Sequence, residues 1–208
     1  MISANLYHLF LFFLFFNHSL KRDSTFSIIS SPIKFSKDQY ENILTFKVTQ
    51  LLLIHYYHSM NSILQEVDVI IANNDSRDQK LKAICVLLDR EIDTFNWTGF
   101  YLADPDEERM LVLGPYVGEE TDHTRIPYGT GICGQAAETL DTFVVQDVSK
   151  AGNYLACSLD VKSEIVVPIM KNGEFMGELD IDSHTLDAIT PKLKDLCERI
   201  CSKLSVIF

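Results

Sequence analysis

Three acidic residues recur at alternate positions in the last quarter of the chain. If Glu174–Ser183 is a strand, Glu178, Asp180 and Asp182 share one side, while Phe175, Leu179 and Ile181 share the other with Gly177. A row of carboxylates is ordinary on a solvated face. Against that reading, Asp is a poor strand former, and Asp180 and Asp182 come late enough for loops to fold over them. Two cysteines stand apart from the other three. Cys133 lies between glycines in Gly131-Ile-Cys-Gly134 at a helix start, where backbone N–H groups and the helix dipole favour a thiolate. Cys157 lies in the polar stretch Asn153–Leu159, ahead of a strand that carries Glu164. Cys85, Cys197 and Cys201 fall on apolar helix faces, where a thiol behaves as a small buried hydrophobe. Trp97, the only tryptophan, shares a strand face with Gly99 and Tyr101. That row is either core packing or a glycine floor with aromatic sides, on which a small ligand could lie.

Other chemistries find little support. His123 stands in the acidic loop Glu119–Arg125 with no second His or Cys at ligand spacing, so no metal site is expected. Phosphate-loop and nucleophile-elbow motifs are absent, and Gly129–Gly134 lacks the strand and helix context of a dinucleotide fingerprint. No cofactor is expected. With 18 basic against 29 acidic residues the chain carries a net charge of −11, which disfavours nucleic acid or an anionic membrane as partner. Five cysteines without a CxxC pair suggest a reducing, cytoplasmic setting and no disulfide framework.

The elements that must position these residues can be placed coarsely. Residues 1–59 hold eight of the thirteen Phe, no cysteine and a net charge of +2, leaving −13 for residues 60–208. Leu6–Phe16 is apolar but too short to span a membrane, and Lys21 and Arg22 follow it where a signal peptide would have them in front. The expectation for residues 1–59 is a poorly ordered extension, or a stretch left untranslated because initiation occurs at Met60. From there the periodicity predicts helices over Ile63–Ala72 and Arg77–Ile92, then a Trp97–Ala103 and Met110–Tyr116 hairpin. A short helix over Ile132–Thr139 follows, with strands at Thr142–Asp147, Glu164–Met170 and Phe175–Ile181. Lys171-Asn-Gly173 is a tight hairpin turn, and Pro191–Leu204 a closing amphipathic helix. The fold class is α+β, a central antiparallel sheet flanked by N- and C-terminal helices.

Six segments in order then resemble one family: Asn96-Trp-Thr-Gly-Phe-Tyr101, Leu113-Gly-Pro-Tyr116, Gly129-Thr-Gly-Ile-Cys-Gly134, Val144–Val148, Lys162-Ser-Glu-Ile-Val-Val-Pro168 and Gly177-Glu-Leu-Asp-Ile-Asp-Ser183. Together they look like the GAF-domain family that includes the free methionine-(R)-sulfoxide reductases, over residues 61–206. The resemblance implies a GAF domain at 60–208, with Cys157 as nucleophile and Glu164, Asp180 and Asp182 lining the pocket. Trp97 and Tyr101 would form its aromatic side, and Cys133 matches a partner cysteine. The family commonly has another cysteine ten residues before Cys133, where this chain has His123.

The implied reaction reduces free methionine sulfoxide by thiol chemistry, with thioredoxin or glutathione restoring the enzyme. Clustered carboxylates cannot all ionise freely, so one stays protonated as the acid, and the remaining charge holds the substrate ammonium. A homodimer paired through the terminal helices is a habit of small GAF domains. The competing reading is a non-catalytic GAF module that senses a small molecule.

Overall fold

A computed structural model describes Thr45, residues 60–152 and residues 160–208. The chain divides into two units, Met1–Val48 and Thr49–Phe208. Thr45, which is helical and exposed, is the described position of the first. The expectations for residues 1–59 otherwise lie outside the described residues.

In the second unit, residues 60–72 form helix α1, which buries Ile63, Leu64 and Val67. Asn73 then closes a turn by accepting from the Asp75 N–H at 2.9 Å. Ser76 caps α2 (Arg77–Glu91) through a reciprocal capping box with Gln79, which satisfies two backbone N–H groups that the helix cannot. Strands β1 (Trp97–Ala103), β2 (Met110–Val117) and β3 (Arg125–Pro127) precede helix α3 (Gly131–Thr139). Strands β4 (Phe143–Val145), β5 (Ser163–Lys171) and β6 (Glu174–Ser183) lead to α4 (Pro191–Leu204). Thr190 caps α4 with Pro at its start, where a missing N–H costs nothing. The strands form one six-stranded antiparallel sheet in the order β3-β2-β1-β6-β5-β4. Among the described residues no helix is long and apolar enough to cross a membrane.

β1 and α4 have the bounds their patterns predict. The expected strand over Thr142–Asp147 shortens to β4, because Asp147 turns its carboxylate onto the Ser149 N–H and starts a 3-10 turn. The β5–β6 hairpin turns through Asn172 and Gly173, both at positive φ (53° and 87°), which suits the right-handed twist of the two strands.

One expectation about faces is corrected. Phe175 does not share a side with Leu179 and Ile181. The pairing steps from Ile169 opposite Gly177 to Met170 opposite Phe175, so Met176 is an extra residue on β6 and reverses the alternation before it. Phe175 therefore meets Tyr128 edge-on at 5.6 Å, on the opposite side of the sheet from Leu179 and Ile181.

The two sides of the sheet are filled differently. On one side α1, α2 and α4 bury Phe100, Leu102, Ile165, Val167, Leu179 and Ile181, together with Cys85, Cys197 and Cys201. Each such aliphatic contributes about 1.5–3 kcal/mol by leaving water. Burial pushes the Cys85 and Cys197 thiols up to about 12 and the Cys201 thiol well above its ordinary value. These three cysteines are core residues, as their helical spacing suggests. The other side carries Trp97, Tyr101, Val166 and the face of α3 that includes Ile132, Cys133, Ala136 and Ala137.

Candidate active site

Strand register builds this second side row by row. Trp97 on β1 stands opposite Asp182 on β6, which stands opposite Glu164 on β5. The next row is Gly99, Asp180 and Val166, and the next Tyr101, Glu178 and Pro168. Period-two alternation thus gathers four carboxyls from two strands onto one surface. Helix α3 packs over this side against β5 and β6, and all four carboxyls are buried to 3% exposure or less, so the solvated-face reading of the acidic row does not hold. Gly134 lets α3 pack close against the end of β3, where a Cβ would meet the Pro127 carbonyl oxygen at 2.5 Å. Cys133, in the first turn of α3, offers its sulfur where it and a carboxylate oxygen of Glu164 and of Asp180 all lie within 4.8 Å of one another.

Burial dominates the electrostatics of this surface. It raises the carboxyls of Glu164, Glu178 and Asp182 well above their ordinary values, and the charge of Asp180 adds to the rise in each. Asp180 itself is pushed up to about 7. The Cys133 thiol draws Glu178 and Asp180 down, yet none of their four carboxyl oxygens has a partner at full hydrogen-bonding geometry. Asp182 Oδ1 also lacks one. None of the ion pairs among the described residues reaches these carboxyls. Buried carboxyls without well-formed hydrogen bonds cost free energy, and that cost favours a ligand that brings positive charge and N–H donors.

The aromatic row corrects another expectation. Gly99 is no floor for a ligand, because the Trp97 indole lies over it: a Cβ at residue 99 would sit 2.3 Å from the ring. The indole stacks on Tyr116 at 5.4 Å and on Tyr101 at 6.3 Å. Its N–H donates to the Glu119 carbonyl at 3.1 Å, and the Tyr101 hydroxyl to the His123 carbonyl at 2.8 Å. Both aromatics thereby tie down the acidic loop that carries His123. The cleft opens at the Trp97 end, lined by Asn96, Trp97, Glu119, Thr121, Asp182 and His184 among others.

The structure therefore brings together Trp97, Tyr101, Cys133, Glu164, Asp180 and Asp182. Cys157 lies outside the described residues. The fourth buried carboxyl, Glu178, had no role in the reading of the sequence. Its signal was present in the alternation, which placed it on the same face as Asp180 and Asp182.

A family model described as GAF domain matches residues 76–207, more than half of the chain. Among curated proteins, the free methionine-R-sulfoxide reductase of Saccharomyces cerevisiae is 39% identical over 53% of this chain and 61% of its own length. The present chain thus spans about three fifths of that relative. The enzyme of the same name from Escherichia coli is 30% identical over 73% of this chain and 88% of its own. Among solved structures, the X-ray structure of free methionine-R-sulfoxide reductase from Neisseria meningitidis in complex with its substrate is 34% identical. It superposes with a TM-score of 0.65, covering 70% of this chain and 85% of that one. Its fold, its strand register and these matches agree: the chain belongs to the GAF-domain family.

Proposed function

We propose that this chain reduces free L-methionine-(R)-sulfoxide to methionine, as its relatives' names describe for them. The observation that carries this reading is the set of four buried carboxyls with no ion pair to a cation among the described residues, set beside a tryptophan and a thiol. A free amino acid brings an ammonium group that such carboxyls can hold, whereas a methionine within a protein presents an amide. Trp97 offers its ring to the methyl and sulfur end through dispersion and sulfur–aromatic contact.

The chemistry needs a thiolate and an acid together. The Cys157 thiolate attacks the sulfoxide sulfur while a carboxyl of the Glu164, Asp180 and Asp182 group protonates the oxygen. The sulfoxide sulfur gains two electrons and leaves as the thioether of methionine, and Cys157 keeps the oxygen as a sulfenic acid. Burial raises these carboxyls, Asp180 to about 7, which favours the protonated form that an acid catalyst requires. Cys133 then attacks Cys157, the hydroxyl departs as water, and the resulting disulfide is reopened by a thioredoxin-type dithiol, or by glutathione. With His123 in place of a third cysteine, Cys133 is the partner for this step. The working unit is the GAF domain of residues 60–208, acting in the cytoplasm as a homodimer, with no part for nucleic acid, membrane or metal cofactor in the reaction.

The test is turnover of the R and S epimers of free methionine sulfoxide by the full chain and by Cys157→Ser. Thioredoxin, glutathione and dithiothreitol would be supplied separately. R-specific turnover that disappears in the variant is expected. A folded protein that binds the sulfoxide but turns over neither epimer with any reductant would instead be a binding module. Peptide mapping of the oxidised enzyme should find Cys133 joined to Cys157, and its absence would assign recycling to an external thiol.

A further inference from the structure

We propose that Cys133, Glu164 and Asp180 form a site for a thiophilic divalent cation, Zn²⁺ above all, and that the bound ion excludes the amino-acid ligand. The donor set is one sulfur and two carboxylate oxygens from three different elements, all within 4.8 Å of one another. A tetrahedral ion with Zn–S ~2.3 Å and Zn–O ~2.0–2.2 Å holds its donors about 3.4–3.6 Å apart, so these side chains would draw together by up to about 1.4 Å on binding. An acidic cluster beside a thiol would not by itself identify a ligand site. Here, however, Asp180 is 1% exposed and neither of its carboxyl oxygens has a partner at full hydrogen-bonding geometry, while the Cys133 thiol lies beside it. Glu178, also fully buried, brings a further carboxyl without a partner at full hydrogen-bonding geometry.

The chemistry of the donors selects the ion. A thiolate disfavours Mg²⁺ and Ca²⁺, which take oxygen ligands, while two carboxylates disfavour Cu⁺, which prefers sulfur. Zn²⁺ accepts both kinds. Asp182, beside Asp180 on the same strand face, lines the small cavity at the Trp97 end. The ion would use two of the carboxyls proposed to hold or protonate the substrate and would bond to Cys133 itself. Cation and sulfoxide should therefore compete, and the bound ion should shield the thiol from oxidation. Binding of the ion does not depend on the reductase reading; only the competition does.

Anaerobic titration of the reduced, chelator-washed full chain with Co²⁺ tests this directly. A sulfur-to-cobalt charge-transfer band should appear in the near ultraviolet and disappear on adding Zn²⁺. It should persist in Cys157→Ser and be lost in Cys133→Ser, with circular dichroism confirming that both are folded. Asp180→Asn should weaken the affinity by at least about tenfold, the scale on which even outer partners of a metal matter. A band absent from the parent protein, or one that follows Cys157 instead of Cys133, overturns the site. If Cys133→Ser fails to fold, an undiminished affinity in Asp180→Asn overturns it as well. In Cys157→Ser, where turnover cannot oxidise Cys133, free methionine sulfoxide should displace the cobalt band, and cobalt and sulfoxide bound together would overturn the exclusion. A cobalt band without sulfoxide turnover would leave the site standing and refute the reductase reading alone.

Discussion

The two sides of one sheet are built from alternate residues of the same strands, yet they have opposite purposes. On β6, Leu179 and Ile181 lie under α1, α2 and α4, while Glu178, Asp180 and Asp182 lie under α3. The first side is apolar and covered by three helices. The second, among the described residues, is covered by a nine-residue helix and the acidic loop, and holds four carboxyls that would be better solvated in the unfolded chain. A fold tolerates a costly surface only when another supplies the stability to offset it. Substitutions on the helical side should therefore act on folding, and substitutions on the carboxyl side on ligand chemistry.

The largest effect expected on stability comes from the helical side. Leu179→Ala removes a fully buried side chain and should cost about 2–5 kcal/mol in denaturant unfolding. Turnover per folded molecule should change little. Loss of turnover by a variant that unfolds at the parent's denaturant midpoint would break the division between the sides.

Asp180→Asn, one position along the same strand, should do the reverse. Turnover should fall about 10²-fold, the contribution of a positioned acid or ligand-holding charge. The pH dependence of stability should flatten as well. A carboxyl whose folded pKa is raised binds its proton more tightly when folded, so its contribution to stability is present at low pH and lost as pH rises. For Asp180 the window runs from the ordinary 3.8 to about 7. With chelator present and no substrate, the protein should melt roughly 5 °C or more higher at pH 5 than at pH 7.5. The variant should show a smaller difference, and a sulfoxide ligand should narrow it in the parent. A melting temperature that rises across this interval would contradict the burial argument.

How far these sides could be read from the sequence depended on the kind of information each feature needs. The bounds of β1 and α4, the Asn172-Gly173 turn and the division of β6 between carboxyls and aliphatics are local patterns, and local patterns were legible. β3 was missed because it is three residues long with only Ile126 buried. The extra residue at Met176 is defined by the register of β5, which no pattern within β6 reveals. Alternation placed Glu178, Asp180 and Asp182 together, but it could not say that α3 would cover them. It placed Trp97, Gly99 and Tyr101 on one face without showing that the indole folds down over the glycine. Cys133 was legible from its glycine-flanked helix start, whereas its approach to Glu164 and Asp180 depends on how α3 docks.

Gly99→Ala sharpens the comparison on the aromatic part of the carboxyl side. The added methyl would contact the Trp97 ring at 2.3 Å and the Tyr116 Cβ at 2.7 Å, so the indole must move. Overpacking of this kind costs about 1–3 kcal/mol. Because Trp97 is the only tryptophan, its fluorescence reports the displacement directly. The expected result is a shifted emission spectrum together with a raised KM for the sulfoxide, since Trp97 lines the cleft beside Asp182. An unchanged spectrum would mean that the ring does not rest on Gly99.

The smallest effect tests the helical side away from its core. Ser76 and Gln79 cap α2 with exposed side chains, and α2 packs behind β1 and β2 through Leu81, Ile84 and Leu88. Ser76→Ala removes the acceptor for the Gln79 N–H and should cost about 1 kcal/mol. Because that loss is spread over a helix on the far side of the sheet, KM, kcat and cobalt affinity should all stay at their parental values. A change in any of them, at full folding, would mean that α2 transmits its position through β1 to Trp97, and that the two sides are less separate than the alternation of their residues implies.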